Sequence, residues 1–329
     1  MRKIILLALV SILFVASSSC ATTKQATPDW VVGRFDAELS AKYILAVGSG
    51  RSREGAEKDA RHNLASYFGT DINSRTYAGT TYYERGGSVQ TSQVYNTDLL
   101  VDVKVDDLVC VEEIESFVDR DGAFYVLLGM NKRDSVAYYS SKLTDLNKEI
   151  SFEYAGLEFS PHNLENLISL ASLRKKVSKA TEIIGMIGLI DGSRHYSASV
   201  SSFLVEELRK EYIDDISFSI ELNGDAVSVV SSIESVITGN GFHLSSDPTA
   251  SVVMVNLSLS NITGNTRNCF CGFDLAIEIK DKESGKIVYS WRKQGREAMS
   301  TYEQAQAKVI YNLSKNIEKE FNDDFANSF

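Results

Sequence analysis

The chain has 329 residues, 34 of them basic and 44 acidic, for a formal net charge of −10 at pH 7. An acidic balance spread along the whole sequence disfavours nucleic acid and anionic headgroups as partners. The length exceeds one common domain and points to two, and only 3 prolines with no low-complexity tract leave little disordered linker.

The first element reads as an export signal. Arg2 and Lys3 supply a positive start, Ile4 to Ala16 form an apolar run broken only by Ser11, and Ser17-Ser18-Ser19-Cys20 provide the small residues a signal peptidase needs. As a helix this run covers roughly 20 Å, short of the ~30 Å hydrocarbon core, which argues against a permanent transmembrane anchor. An ordinary secretory signal cut near the same place is the alternative. Cys20, directly after three small residues, resembles the lipobox cysteine of bacterial lipoproteins, whose thiol is diacylated and becomes the new N-terminus. Ser17 departs from that pattern, standing where an aliphatic residue is usual. The resemblance implies a firm hold on a bilayer through two or three acyl chains, and Ala21, not an aspartate, leans towards the outer membrane. Loss of Arg2 and Lys3 with the signal leaves 32 basic against 44 acidic residues.

Residues Ala21 to Asp29 are small and polar, a tether of roughly 30 Å fully extended. Folding is expected from Trp30-Val31. Tyr43 to Val47 reads as a buried strand ended by Gly48-Ser49-Gly50. A helix follows, with Ser52 as N-cap and Ala56, Ala60, Leu64 and Phe68 on one face. Tyr77 to Gly87 lacks a period and reads as a long hairpin arm or loop, whose tyrosines, with Tyr95, either meet a partner or sit half-buried in strands. Leu99, Val101, Val103 and Val105 alternate with mostly polar neighbours as in a strand. Further strands are expected from Val109 to Val118 and Phe124 to Gly129, around the turn Asp119-Arg120-Asp121-Gly122.

The middle is helical. Val136, Tyr139, Leu143, Leu146 and Ile150 have heptad spacing, and so do Leu173, Val177, Ala180, Ile184 and Ile187. Ser160-Pro161 is the expected start of the second helix. In the last third, a helix at Val200 to Arg209 precedes a strand bearing Ile216, Phe218 and Ile220. A helix striped by Ala226, Val229, Ile233, Val236 and Ile237 follows and stops at Gly239-Asn240-Gly241. Three strands come next, marked by Val253 to Leu259, Phe273 to Ile279, and Ile287, Tyr289 and Trp291. Ser300-Thr301-Tyr302-Glu303 is a capping box, after which Ala305, Val309, Leu313, Ile317 and Phe321 line a helix.

Catalytic motifs are scarce. Gly48-Ser49-Gly50 lacks the third glycine of a dinucleotide fingerprint, Arg53 standing in its place. His62, His162, His195 and His243 do not cluster, and Ser172-x-x-Lys175 has none of the companion motifs of a penicillin-binding site. The acid pairs Glu112-Glu113, Asp214-Asp215 and Asp323-Asp324 read as solvated charge. Lipidation of Cys20 leaves Cys110, Cys269 and Cys271, an odd number that defines no disulfide framework. Cys269-x-Cys271 has no histidine near it for a metal site, and buried or loosely paired thiols are expected.

Pro28-Asp29-Trp30, Ala46-Val47-Gly48-Ser49-Gly50 and Ala60-Arg61-His62-Asn63-Leu64-Ala65 resemble the bacterial LPP-twenty lipoprotein family. That family has a P-x-W entry, an AVGSG strand end and a helix with an AR-x-x-LA centre. The match spans about residues 28 to 130. It implies a small α+β domain on a lipid tether, commonly in the outer membrane, without known catalysis. Some relatives are flagellar lipoproteins forming rings around the motor, and others are surface antigens.

The expected fold is α+β: two small antiparallel-sheet-plus-helix domains joined by a helical hairpin. The boundaries are a signal peptide at 1–19, a lipidated tether at 20–29, an LPP-twenty-like domain at 30–130, the hairpin at 131–194 and a C-terminal domain at 195–329. The one assigned site is lipidation at Cys20; no catalytic, cofactor-binding or metal-binding residue and no cofactor are assigned. Expected partners are a membrane, through the acyl chains, and envelope proteins or further copies of the chain, not nucleic acid. The expected role is structural or interactive at the outer membrane. The alternative is an accessory lipoprotein that regulates an envelope enzyme, secretion or flagellar assembly.

Overall fold

The computed structural model describes residues 26–76, 81–85, 88–92, 108–247, 250–262 and 269–329, with backbone only in 69–92. The signal, Cys20, Tyr77, Tyr95 and the alternating run Leu99 to Val105 lie outside the described residues. The α+β class holds throughout. The chain divides into two compact units, one ending at Ser135 and the other running from Val136 to Phe329.

The first unit opens with a 3-10 turn at Asp29–Val32, then α1 (Ala37–Lys42), β1 (Tyr43–Gly50) and α2 (Arg53–Thr76). β2 (Thr81–Arg85), within the Tyr77 to Gly87 stretch expected to be an arm or loop, pairs in an antiparallel hairpin with β3 (Ser88–Ser92), which lies beyond that stretch. β4 (Val111–Val118) and β5 (Phe124–Asn131) complete a three-stranded sheet in the order β1-β5-β4, antiparallel throughout. Ser52 caps α2 as expected, its Oγ accepting from Gly55 N at 3.1 Å. Ala56, Ala60, Leu64 and Phe68 are fully buried. The alanines allow a close approach that a glycine completes. A Cβ on Gly48 would run into the backbone of Ala56 and Ala60.

Both faces of this small sheet are covered. On one, Ala56 and Ala60 of α2 pack with Val126 and Leu128 of β5. On the other, Trp30 packs with Phe117 and Leu127, and Phe35, Leu39 and Val47 join them. β5 is therefore buried at five consecutive residues, Val126 to Met130. A central strand covered on two sides has this continuous apolar pattern, not alternation. The turn before it is the expected one: Gly122 adopts φ 81°, and Asp119 Oδ1 accepts from Asp121 N at 2.9 Å and Ala123 N at 2.8 Å.

The second unit contains α3 (Lys132–Glu158, whose first turn ends the first unit) and α4 (Leu164–Ile190). These form the expected helical hairpin, joined by ion pairs from Lys176 to Glu149 and Glu153. Two details correct the sequence reading. Asn163, not Ser160, caps α4, accepting from Asn166 N at 3.0 Å, because Ser160 Oγ instead donates to Gly156 O at 2.7 Å. The buried stripe of α4 passes through Ile183 and not Ile184.

There follow α5 (Ser202–Asp215), β6 (Ser217–Gly224), a 3-10 turn at Ala226–Val229, α6 (Val230–Gly239) and β7 (His243–Leu244). The chain continues with β8 (Ser251–Ile262), β9 (Cys269–Lys280), β10 (Ile287–Met299) and α7 (Tyr302–Asn316). A π-helical turn at Ile317–Phe321 leads into α8 (Asn322–Ser328). The sheet order is β10-β9-β8-β6-β7. The sheet is mixed: β8, β9 and β10 form the expected antiparallel meander, but β6 runs parallel to both β8 and β7. The intervening α6 makes that possible, since parallel neighbours need a crossover connection.

β8 and β9 bury alternate residues: Val253, Val255 and Leu257, then Leu275, Ile277 and Ile279. Those face the helices, where Ala305, Val309, Leu313, Ile317 and Phe321 are all fully buried as the stripe predicts. The core closes on a ring cluster. Phe325 lies 4.9 Å from Phe329, 5.5 Å from Phe242 and 5.6 Å from Phe321, centroid to centroid, and Tyr289 lies 6.2 Å from it. Tyr289 Oη donates to Asp324 Oδ2 at 2.6 Å, and burial together with that carboxylate pushes its phenol far above the usual range. Ile287, expected on the buried face, is 53% exposed, because the β9–β10 register shifts between it and Tyr289.

Candidate functional site

Cys20 precedes the described residues, so its chemistry stays a matter of sequence. The described chain enters the first unit through Trp30. Trp30 is buried, and its Nε1 donates to Glu115 Oε2 at 2.6 Å. Gly33, at φ 78°, closes the 3-10 turn by hydrogen bonding to the Asp29 and Trp30 carbonyls.

Glu115 belongs to a set of three glutamates on β4. A bulge at Ile114 decides their directions, since the pairing runs Glu112 with Gly129, Glu113 with Leu128, and then Glu115 with Leu127. Plain alternation would put Glu113 and Glu115 on one face. The extra residue separates them. Glu113 shares the Leu128 face with α2 and accepts both of its hydrogen bonds from Arg53 Nη2, each at 2.9 Å. Glu112 and Glu115 turn to the other face, where Glu112 Oε1 accepts from Tyr43 Oη at 2.5 Å. Each carboxylate thus ties β4 to a different element: β1, α2 and the entry turn. The Glu113 carboxylate beside Arg53 raises the guanidinium's pKa. Lys42 Nζ lies 4.8 Å from the centre of the Tyr43 ring, and its pKa is raised first by Tyr43 and further by Glu112 and Asp134. A groove of about 420 Å³ lies among these residues, lined by Glu38, Lys42, Tyr43, Glu112 and Ile114 among others.

The other motifs resolve into structural roles. The Gly48-Ser49-Gly50 turn has its Ser49 N–H occupied by Asp59 Oδ2 at 2.9 Å, and Asn63 Nδ2 donates to Val47 O at 2.9 Å. A phosphate would need that amide, and α2 side chains already satisfy this edge of β1. His162 pairs through Nδ1 with Asp215 Oδ2 at 2.5 Å and stacks on Tyr212 at 4.3 Å, while His62, His195 and His243 are exposed. Cys110, Cys269 and Cys271 are free thiols, and only Cys271 is buried. Among the described residues, no group of three His, Cys, Asp or Glu side chains is placed to hold a metal ion. Ser172 and Lys175 are both exposed. The acid pairs were misread as purely solvated charge. Each has a member in a tertiary contact: Glu112 and Glu113 as above, Asp215 with His162, and Asp324 with Tyr289. Adjacent acids in sequence carry no signal of this, because the partners lie tens of residues away.

In the second unit, a shallow depression of about 620 Å³ is lined by Thr144, Asn147, Lys148, Ser151, Phe152 and Ser199. The connection after α4 forms part of it. Asn147 Oδ1 accepts from Ser199 N at 2.9 Å, its Nδ2 donates to Ser197 O at 3.1 Å, and Ser199 Oγ donates to Asn147 O at 2.9 Å. Among the described residues, no helix is long and apolar enough to cross a membrane.

Comparison with known proteins gives partial likenesses of fold. No family model matches the chain, and no curated protein matches it. A secreted protein of Helicobacter pylori is 15% identical with a TM-score of 0.43, over 84% of this chain and 94% of its own. A minor lipoprotein of Acinetobacter baumannii is 19% identical with a TM-score of 0.27, over 33% of this chain and 93% of its own. A lipoprotein of Neisseria meningitidis is 11% identical with a TM-score of 0.22, over 30% of this chain and 96% of its own. The neighbours are thus bacterial lipoproteins and a secreted protein. Their scores are too low to carry a functional argument.

Proposed function

We propose that this chain is a lipid-anchored lipoprotein of the cell envelope, acylated at Cys20 and held at the outer membrane, with a structural or protein-interaction role and no catalysis. The observation that carries the reading is the N-terminal order of charges, apolar run, three serines and cysteine from Arg2 to Cys20. A short polar stretch then separates Cys20 from Trp30, the first buried residue described. Ten residues reach at most about 35 Å, which keeps the body close to the bilayer that holds the acyl chains. The resemblance to the LPP-twenty family adds support, because its residues build the first unit: Trp30 pins the entry, and Gly48, Ala56 and Ala60 allow the helix to sit on the sheet.

Intact mass of the membrane-extracted protein tests the anchor. An acylated polypeptide beginning at Cys20 is expected, and Cys20→Ala should move the protein to the soluble fraction. An unmodified mature N-terminus overturns the proposal. Copurification separates the roles: self-association supports a structural lipoprotein, whereas a stoichiometric envelope enzyme supports an accessory regulator. Substrate turnover by the purified protein would overturn both.

A further inference from the structure

Cys269 and Cys271 stand on β9 with Phe270 between them, so both side chains leave the sheet on the same face. That is the helix-covered face, because Leu275, Ile277 and Ile279 continue the same alternation and are fully buried. The β9–β10 register sets Met299 directly opposite Cys269 and Glu297 opposite Cys271, with no shift along this stretch. Side chains directly opposite lie about 4.5–5.5 Å apart at Cβ, and a long side chain also reaches its diagonal neighbour. One corner of the sheet therefore gathers two thiols and a thioether.

Burial is graded across this corner. Cys271 is fully buried, Cys269 is half-buried, and Met299 is 37% exposed. Tyr302, in the first turn of α7, reaches the inner thiol, which donates to its Oη at 3.9 Å. Both Glu297 oxygens are taken, by Asn312 Nδ2 at 2.7 Å and Lys308 Nζ at 2.9 Å. The β8 neighbour of Cys271 is the neutral amide Asn261.

We infer that Cys269, Cys271 and Met299 form a binding site for monovalent copper. Thiolate and thioether sulfur select Cu(I), whereas magnesium and calcium seek sets of oxygen ligands and structural zinc takes four ligands. A disulfide is the other fate of paired thiols, and the strand opposes it. Residues i and i+2 are about 6.8 Å apart along a strand, against the ~3.8 Å between Cβ atoms that a disulfide needs. A bridging ion makes up the difference, since two metal–sulfur bonds of about 2.3 Å hold their sulfurs up to ~4.6 Å apart. On binding, each thiol releases its proton to solvent as its sulfur bonds the ion. Met299 adds a neutral lone pair, and copper keeps its oxidation state. The positive end of α7, which begins just past Met299, favours the two thiolates. The exposed thioether gives the ion a way in from solvent, and the buried Cys271 holds it away from water. The inference stands on the second unit alone and holds whether or not Cys20 is acylated.

The test uses the full chain in detergent micelles, reduced and free of oxygen, with Cu(I) offered in competition with bathocuproine disulfonate. The wild-type protein should retain a single ion, and X-ray absorption at the copper edge should show sulfur neighbours alone. Cys269→Ser should abolish retention with unchanged thermal unfolding, because that side chain is only half-buried. Met299→Leu should lower the chelator concentration that strips the ion, and Cys110→Ser should leave retention intact. No copper held against the chelator overturns the inference, as does retention that survives Cys269→Ser or is lost in Cys110→Ser. Nitrogen or oxygen neighbours at the copper edge overturn it too, as does zinc held in preference to Cu(I).

Discussion

The two sheets use apolar strands in opposite ways. In the first unit β5 is buried at every residue from Val126 to Met130, with α2 on one face and the entry segment on the other. In the second, β8 and β9 fully bury every other residue along Val253 to Leu257 and Leu275 to Ile279, and the alternate row is exposed at Asn256 and Ser258 and half-buried at Val252, Met254, Ala276 and Glu278. A three-stranded sheet has too little area to support a one-sided core, so it gains stability by being packed from both sides. The five-stranded sheet offers enough surface on one face for its helices and the Phe325 ring cluster. The first unit therefore depends on close backbone approach, and the second on the volume of its rings.

Substitutions that affect one unit and spare the other would sharpen this contrast. The largest effect is expected from Gly48→Val, whose side chain meets the Ala56 and Ala60 backbone. It should cost about 4 kcal/mol or more and abolish the first unit's calorimetric transition while leaving the second in place. Equal loss of both transitions would break the comparison. Phe325→Ala, in the ring cluster, should cost the second unit about 3–5 kcal/mol, read as a lowered transition for that unit alone. Trp30→Phe keeps an aromatic ring but removes the indole donor to Glu115. The expected loss is about 2 kcal/mol in the first unit, with faster amide exchange in the Asp29–Val32 turn. Thr301→Ala deletes the cap that accepts from Gln304 N at 3.3 Å and should cost the second unit about 1 kcal/mol.

The smallest effect is one of pH. Asp191, Asp274, Glu297 and Glu303, all in the second unit, have carboxyl pKa values held below the usual range. Ser193 is the main cause for Asp191, Arg292 for Asp274, Lys308 for Glu297, and backbone hydrogen bonding for Glu303. A depressed carboxylate stabilises the folded state when ionised. That contribution is present above the ordinary carboxylate range and is lost as pH falls through the lowered values. Acidification below about pH 4 should therefore lower the second unit's unfolding temperature. Glu297→Gln should flatten that slope slightly, and an unchanged slope would argue against the role of Lys308.

Much of the architecture was legible in the sequence. The stripes Ala56 to Phe68 and Ala305 to Phe321 are fully buried where the periodicity placed them, because a helix face depends on spacing alone. The turn at Asp119 to Gly122 was equally plain, since its chemistry is local. The cap of α4 was missed because Ser160 and Asn163 are both competent, and the choice rests on which carbonyl Ser160 can reach. The parallel placement of β6 was missed because alternation says nothing about which strand lies alongside. Nor did the glutamates of β4 announce their partners. Their directions depend on a bulge at Ile114 that has no distinctive residue type.

The sequence by itself determined the elements, their buried faces and the lipoprotein-like N-terminus, since each follows from residues close together in the chain. The tertiary structure alone decided that Gly48 is a contact point for α2, that adjacent acids tie distant elements together, and that Phe152 and Phe159 remain in water. Those outcomes depend on what packs against each residue, and the partners that settle them lie far away along the chain.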